Sequence, residues 1–121
     1  MKKAERPRRY GAAFVLVRGG EVGLIRRPPR GLLGGMLGLP TSDWRAEPWP
    51  QAEALAAAPA SASASWRRLG EIEHTFTHFA LTLDIYRAEA DAADPELVWL
   101  PVARALAETP SVFSKALRLA L

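Results

Sequence analysis

The sequence predicts an α+β domain, a mixed β-sheet packed with helices, and three observations predict it. Segments of strand character lie on both sides of a short alanine-rich helical stretch, so the sheet draws on both halves of the chain. The remaining helical segments lie together at the C-terminal end. The resulting order, strand-strand-loop-helix-strand-strand-strand-helix-helix, suits a sheet with helices laid on it. At 121 residues, 49% of them hydrophobic, the chain fits one domain, and a domain of this size buries roughly two-thirds of its unfolded surface.

Each element has a local reason. Residues 1–9 are expected to form a basic arm or interdomain linker, and residues 10–121 the domain. Tyr10 to Val17 is apolar and β-rich, which predicts the first strand. Gly19-Gly20 predicts a two-residue hairpin turn, because both glycines tolerate positive φ. Glu21 to Arg26 returns as the second strand, and Pro28-Pro29 stops it. Arg30 to Pro40 then holds four glycines in eleven residues alongside several large apolar side chains. That mixture predicts a loop whose backbone approaches something closely while its leucines anchor it or form a wedge.

Trp44 to Trp49 reads as irregular, and Pro50 opens an alanine-rich helix over Gln51 to Ala58. Ala57 to Ser65 is a low-complexity connection within the domain, expected to be mobile. Trp66 to Glu73 predicts a third long strand, and His74-Thr75-Phe76-Thr77-His78 a polar and aromatic corner. Phe79 to Arg87 alternates, with Phe79, Leu81, Leu83 and Ile85 on one face and Ala80, Thr82, Asp84 and Tyr86 on the other. After a turn over Ala90 to Pro95, Leu97 to Leu100 predicts a short strand. Pro101 opens a helix through Glu108, and Ser111 is placed to cap a last helix.

Composition excludes several chemistries. With no cysteine, the chain cannot supply disulfides, thiolate zinc sites, iron–sulfur ligands or a cysteine nucleophile. No apolar run approaches the roughly 18 residues needed to span a bilayer, and no apolar stretch follows the basic N-terminus as in a signal peptide, so a cytoplasmic location is expected. The net charge of +3 conceals an asymmetry: residues 1–30 carry +7 and residues 31–121 carry −4. A basic leading third can attract phosphate, although charge alone describes a solvated tail equally well.

Motifs of hydrolytic chemistry are missing. No serine stands in a Gly-x-Ser-x-Gly elbow, and there is no phosphate-cradling Gly-x-x-x-x-Gly-Lys-Ser/Thr. His74 and His78 lie four apart, but the strand–corner–strand pattern around them points to corner hydrogen bonding rather than to zinc. We therefore expect neither catalytic nor metal-ligating residues.

The hairpin, the glycine-rich loop and Leu39-Pro40 resemble the start of a Nudix hydrolase domain. Those enzymes follow the Leu-Pro with Gly-Gly and a helix carrying Arg-Glu-x-x-Glu-Glu, whose carboxylates bind the magnesium that clamps a diphosphate. Here Thr41-Ser42 stand in place of Gly-Gly, and Glu47 and Glu53 are the only acids from Glu47 through Ser65. The resemblance thus implies the fold without that catalysis. Arg30-Gly31-Leu32-Leu33-Gly34-Gly35-Met36, the Leu39-Pro40 step and His74-Thr75-Phe76-Thr77-His78-Phe79 together resemble the C-terminal domain of the MutY adenine DNA glycosylases, over roughly residues 8–121.

That resemblance implies a domain that senses 8-oxoguanine opposite adenine in double-stranded DNA during base excision repair. The glycosylase chemistry and an iron–sulfur cluster would reside in an N-terminal helical half, the domain's partner in the same chain, and no cofactor is expected in this chain. By position, Phe76 would wedge or stack, Thr77 would offer its hydroxyl, and His78 would support the corner or the backbone. Arg30, Leu32, Leu33 and Gly34 of the loop complete the expected lesion-binding set. Two departures stand out: Leu37-Gly38 replace the Trp-Glu-like pair usual before Leu-Pro, and Thr77 replaces the commoner serine while keeping its hydroxyl. The alternatives are a Nudix-type nucleoside diphosphate hydrolase and a Nudix-like protein-interaction module.

Overall fold

The computed structural model describes residues 6–59 and 65–121. The expected basic arm over residues 1–5 and the centre of the alanine/serine connection, residues 60–64, lie outside the described residues. The architecture is the expected α+β one: strands β1 (Arg8–Arg18), β2 (Glu21–Arg26), β3 (Leu37–Gly38), β4 (Arg67–Thr75), β5 (Ala80–Glu89) and β6 (Val98–Pro101), with helices α1 (Gln51–Leu55), α2 (Val102–Glu108) and α3 (Ser111–Ala120). The sheet runs β3-β2-β1-β5-β4, with β6 paired to β2. Its centre is parallel, Arg8 opposite Ala80 through Val17 opposite Glu89, and its other pairs are antiparallel.

Both faces of the central strands are covered, and this is why β1 reads as a nearly unbroken apolar run. Ala13, Val15, Val17, Leu81, Leu83 and Ile85 face a main core completed by Val112, Phe113, Ala116 and Leu117 of α3. Ala12, Phe14 and Tyr86 face the opposite side, under Ala54 of α1, with Trp49 and Trp66 beside them. Alternation in β5 therefore separates two buried faces near Tyr86, not a buried face from a wet one.

Several boundaries depart from expectation for identifiable reasons. The hairpin at Gly19-Gly20 forms as expected, with φ of 56° and 81°. The first strand starts at Arg8 rather than Tyr10, because pairing with β5 extends to Arg8 and the Pro7 carbonyl accepts from Ala80 N–H at 2.9 Å. The alanine-rich helix stops at Leu55, and Ala56, Ala57 and Ala58 donate to carbonyls three residues back. Pro59 disfavours helical geometry at the residue before it, and one helical turn propagates poorly. Ser111 does not cap α3: Pro110 holds the cap position, and the Ser111 side chain makes no cap bond. The two-residue β3 pairs Leu37 and Gly38 with Arg26 and Ile25, too short a stretch to leave a sequence period.

The glycine-rich loop is shaped mostly by its own turns. Gly31 and Gly35 have φ of 90° and 75°, and Leu33, with a side chain, is held at φ 58°. A Cβ at Gly34 would lie 2.6 Å from the Pro29 carbonyl oxygen and 3.1 Å from that of Gly31. Gly34→Ala is thus expected to destabilise the domain by about 1–3 kcal/mol, read as a lowered urea midpoint. An unchanged midpoint would show that the loop does not need the close backbone approach at Gly34.

Candidate functional site

The expected corner is narrower than its sequence implied. His74 and Thr75 belong to β4. Phe76 N–H donates to the Phe79 carbonyl at 2.8 Å, leaving Thr77 and His78 as a two-residue tip. Both tip residues are exposed. Among the described residues no hydrogen bond engages the Thr77 hydroxyl or the His78 ring, while the Thr77 carbonyl accepts from Arg6 Nε at 3.1 Å. A polar tip can stand here because the residues flanking it are aromatic anchors.

Those anchors form a platform. The Phe76 and Phe79 rings are 4.9 Å apart, Trp44 lies 6.2 Å from Phe76 and 6.1 Å from Phe79, and His74 meets Phe76 edge-on at 4.7 Å. Phe76 is half-buried against the main core, so its ring is held by the domain and is not a freely swinging wedge. Trp44 owes its seat to Gly11, where a Cβ would come within 2.5 Å of the indole. The indole Nε1 is buried there and has no hydrogen-bond partner among the described residues, so the contacts that hold the ring there are packing contacts.

Arg27 joins this platform to the glycine-rich loop. Its guanidinium lies 5.2 Å from the Trp44 ring centre and 5.7 Å from that of Phe113 on α3, within the range of cation–π attraction. Its Nε donates to the Leu32 carbonyl at 3.3 Å, and its backbone exchanges bonds with Met36 and Gly35. Burial among these rings lowers its pKa from the usual arginine value. Arg26 adds a bond to the Gly35 carbonyl at 2.8 Å. Within the loop, Leu33 packs on the core and acts as the anchor, whereas Leu32 and Met36 are 41% and 44% exposed. Arg30 is exposed as well, and Gly34 is half-buried.

The structure thus places Arg30, Leu32, Leu33 and Gly34 on one loop and Phe76, Thr77 and His78 on one hairpin end, with Arg27 and Trp44 between. Arg27 and Trp44 were not among the residues expected from the sequence. An arginine before two prolines reads as a solvated strand end, and a tryptophan in an irregular stretch carries no periodicity. A cleft of about 360 Å³ beside them is lined by Ile25, Arg27, Pro28, Thr41, Ser42, Asp43 and Trp44. Ser42, where the Nudix pattern has glycine, is committed to the strand β1: its Oγ accepts from Ala12 N–H at 2.9 Å and donates to the Asp43 carbonyl at 2.9 Å.

The donor set does not fit a diphosphate-bound metal. No group of three or more His, Cys, Asp or Glu side chains able to hold a metal ion occurs among the described residues. On α1 the single carboxylate, Glu53, is engaged by Arg45 at 3.3 Å. Also among the described residues, no helix is long and apolar enough to cross a membrane.

The chain matches the NUDIX domain family over residues 12–119. It is 33% identical over 96 residues to human adenine DNA glycosylase, an overlap of 74% of this chain and 17% of that protein. The chain therefore spans about a sixth of the length of that curated relative. Among solved structures, the C-terminal domain of mouse MUTYH, determined in complex with human PCNA, superposes with a TM-score of 0.67 at 24% identity, covering 93% of this chain and 86% of that one. A MutT protein from Methanosarcina mazei Go1 superposes with a TM-score of 0.74 at 16% identity, covering 98% and 96%. A MutT NUDIX hydrolase from Burkholderia pseudomallei gives 0.68 at 21% identity, covering 94% and 98%.

Proposed function

This chain belongs to the Nudix domain family, and from that premise we propose that it is a non-catalytic lesion-recognition domain, sensing 8-oxoguanine opposite adenine in duplex DNA for an adenine DNA glycosylase. The observation that carries the proposal is the exposed Thr77-His78 tip, with no hydrogen bond to either side chain among the described residues, mounted on an aromatic platform that reaches the glycine-rich loop. Similarity to human adenine DNA glycosylase supports it. The poor metal donor set argues against hydrolysis of nucleoside diphosphates. Base removal, and an iron–sulfur cluster with it, would belong to an N-terminal half of the same enzyme.

The chemistry of the lesion suits this tip. Relative to guanine, 8-oxoguanine carries a carbonyl at C8 and a proton on N7. A hydroxyl donates and accepts, so Thr77 can answer either change. The exposed Leu32 and Met36 offer apolar contact at the groove, and Arg30 offers charge to a phosphate.

Titration of the 121-residue chain with two short duplexes, one carrying 8-oxoguanine opposite adenine and one carrying guanine there, tests the reading by NMR. The lesion duplex is expected to saturate the amide shifts of Thr77, His78 and Leu32 at lower concentration. Added salt is expected to weaken both complexes through the phosphate contacts they share. Identical curves for the two duplexes would remove lesion sensing. A docking module is the second reading, favoured by the PCNA complex of the mouse MUTYH domain.

A further inference from the structure

Lys115 reaches from α3 to the base of the recognition corner. Its Nζ donates to the Glu73 carbonyl at 3.0 Å and lies 3.1 Å from His74 Nδ1. An ammonium group has three donors and no acceptor, so Nδ1 must be the unprotonated, accepting nitrogen of the ring. The ring proton of a neutral His74 is then confined to Nε2. That Nε2–H has no hydrogen-bond partner among the described residues. His74 is half-buried and braced edge-on against Phe76 at 4.7 Å, so the donor is held beside the tip in a fixed ring orientation.

We propose that His74 is a further DNA-contacting residue, a neutral Nε2–H donor for an oxygen acceptor of the duplex, and that Lys115 is its positioning residue. The proposal rests on the lesion-recognition reading and adds to the tip a group that can only donate. Thr77 can answer a donor or an acceptor; His74 in this tautomer answers an acceptor alone, which a phosphate oxygen or a base carbonyl provides.

The surroundings favour the neutral ring. Burial lowers the His74 pKa first, and the Lys115 charge lowers it further. Lys115 is the charged group on the ring from α3; Glu73, its neighbour on β4, lies 3.9 Å from Arg8 instead, and the β5 residue paired with His74 is the apolar Leu81. With the folded pKa below the unfolded value, the unfolded chain binds the extra proton first as pH falls. The contribution of His74 to stability is therefore complete above the ordinary histidine pKa of about 6.5 and is lost as pH falls through the lowered folded value.

Nitrogen-15 NMR of the histidine rings in the 121-residue chain tests the tautomer without DNA. His74 is expected as the Nε2–H form. Lys115→Met should admit the Nδ1–H form and raise the titration midpoint, and Lys115→Arg, which restores a charged donor, should reverse both changes. A dominant Nδ1–H form in the parent, or a midpoint unmoved by Lys115→Met, would overturn the assignment.

With the 8-oxoguanine duplex added, the Nε2–H resonance should shift, and His74→Phe, which keeps a ring against Phe76, should weaken binding about five- to tenfold, the loss of one hydrogen bond. If the acceptor is phosphate, that loss is the same for both duplexes and, because a neutral ring releases no counterion, does not change with salt; if it is a base carbonyl, the preference for the lesion duplex falls instead. A duplex that shifts Thr77 but leaves His74 unmoved removes this inference and leaves the lesion reading standing. No binding of either duplex removes both.

Discussion

Trp44→Ala is expected to lower the stability of the domain by about 2–4 kcal/mol, somewhat less than a fully buried tryptophan costs because Trp44 is half-buried. The indole fills the space above Gly11, stacks near Phe76 and Phe79, and supplies one of the two rings under Arg27. Its removal leaves a void and cuts the physical link from the glycine-rich loop to the corner. Stability is read from urea unfolding. The link is read from the chemical shifts of Leu32, Gly34, Thr77 and His78, which should move together in Trp44→Ala and return largely to their parent values in Trp44→Phe. A variant as stable as the parent, with the loop and tip undisturbed, would mean that loop and corner are independent.

Thr77→Ala is expected to reduce discrimination between 8-oxoguanine and guanine duplexes by about 1–3 kcal/mol, or roughly 5- to 150-fold in the ratio of affinities. Stability should change by no more than about 0.5 kcal/mol, because Thr77 is exposed and its hydroxyl has no partner within the described domain. Thr77→Ser should retain the discrimination, since it keeps the hydroxyl and loses only a methyl group. Equal affinity ratios for Thr77→Ala and the parent would remove the hydroxyl from lesion recognition. The two variants are complementary: Trp44→Ala disturbs the platform, and Thr77→Ala disturbs only what stands on it.

Elements with a strong local signal were legible before the structure. The β2 boundaries, Glu21 and Arg26, and the Gly19-Gly20 turn follow from alternation and from positive φ, both properties of a few consecutive residues. The stretch Phe76-Thr77-His78 and the loop Arg30 to Gly34 were visible for the same reason: aromatic, hydroxyl and glycine residues crowd into short segments. What escaped was short or depended on distant partners. The two-residue β3 exists through β2, the shortening of α1 through Pro59, and the cap of α3 through Pro110. Arg27 and Trp44 carry no local mark; each acquires its position from residues far along the chain.

By itself, the sequence determined the fold class, the lack of converging carboxylates after Leu39-Pro40, and the presence of a hydroxyl between two aromatic residues in a strand-to-strand corner. These are matters of residue type and spacing over a few positions. Only the tertiary structure decided that Phe76 is a held ring, that Leu33 anchors while Leu32 is exposed, that Arg27 and Trp44 bind loop to corner, and that Lys115 Nζ stands 3.1 Å from His74 Nδ1. The physical reason is separation: Lys115 and His74 are 41 positions apart, and the parallel pairing of β1 with β5 brings together strands some seventy positions apart. Ring packing and a hydrogen bond of about 3 Å depend on where the folded backbone places two groups, and no window of neighbouring residues carries that information.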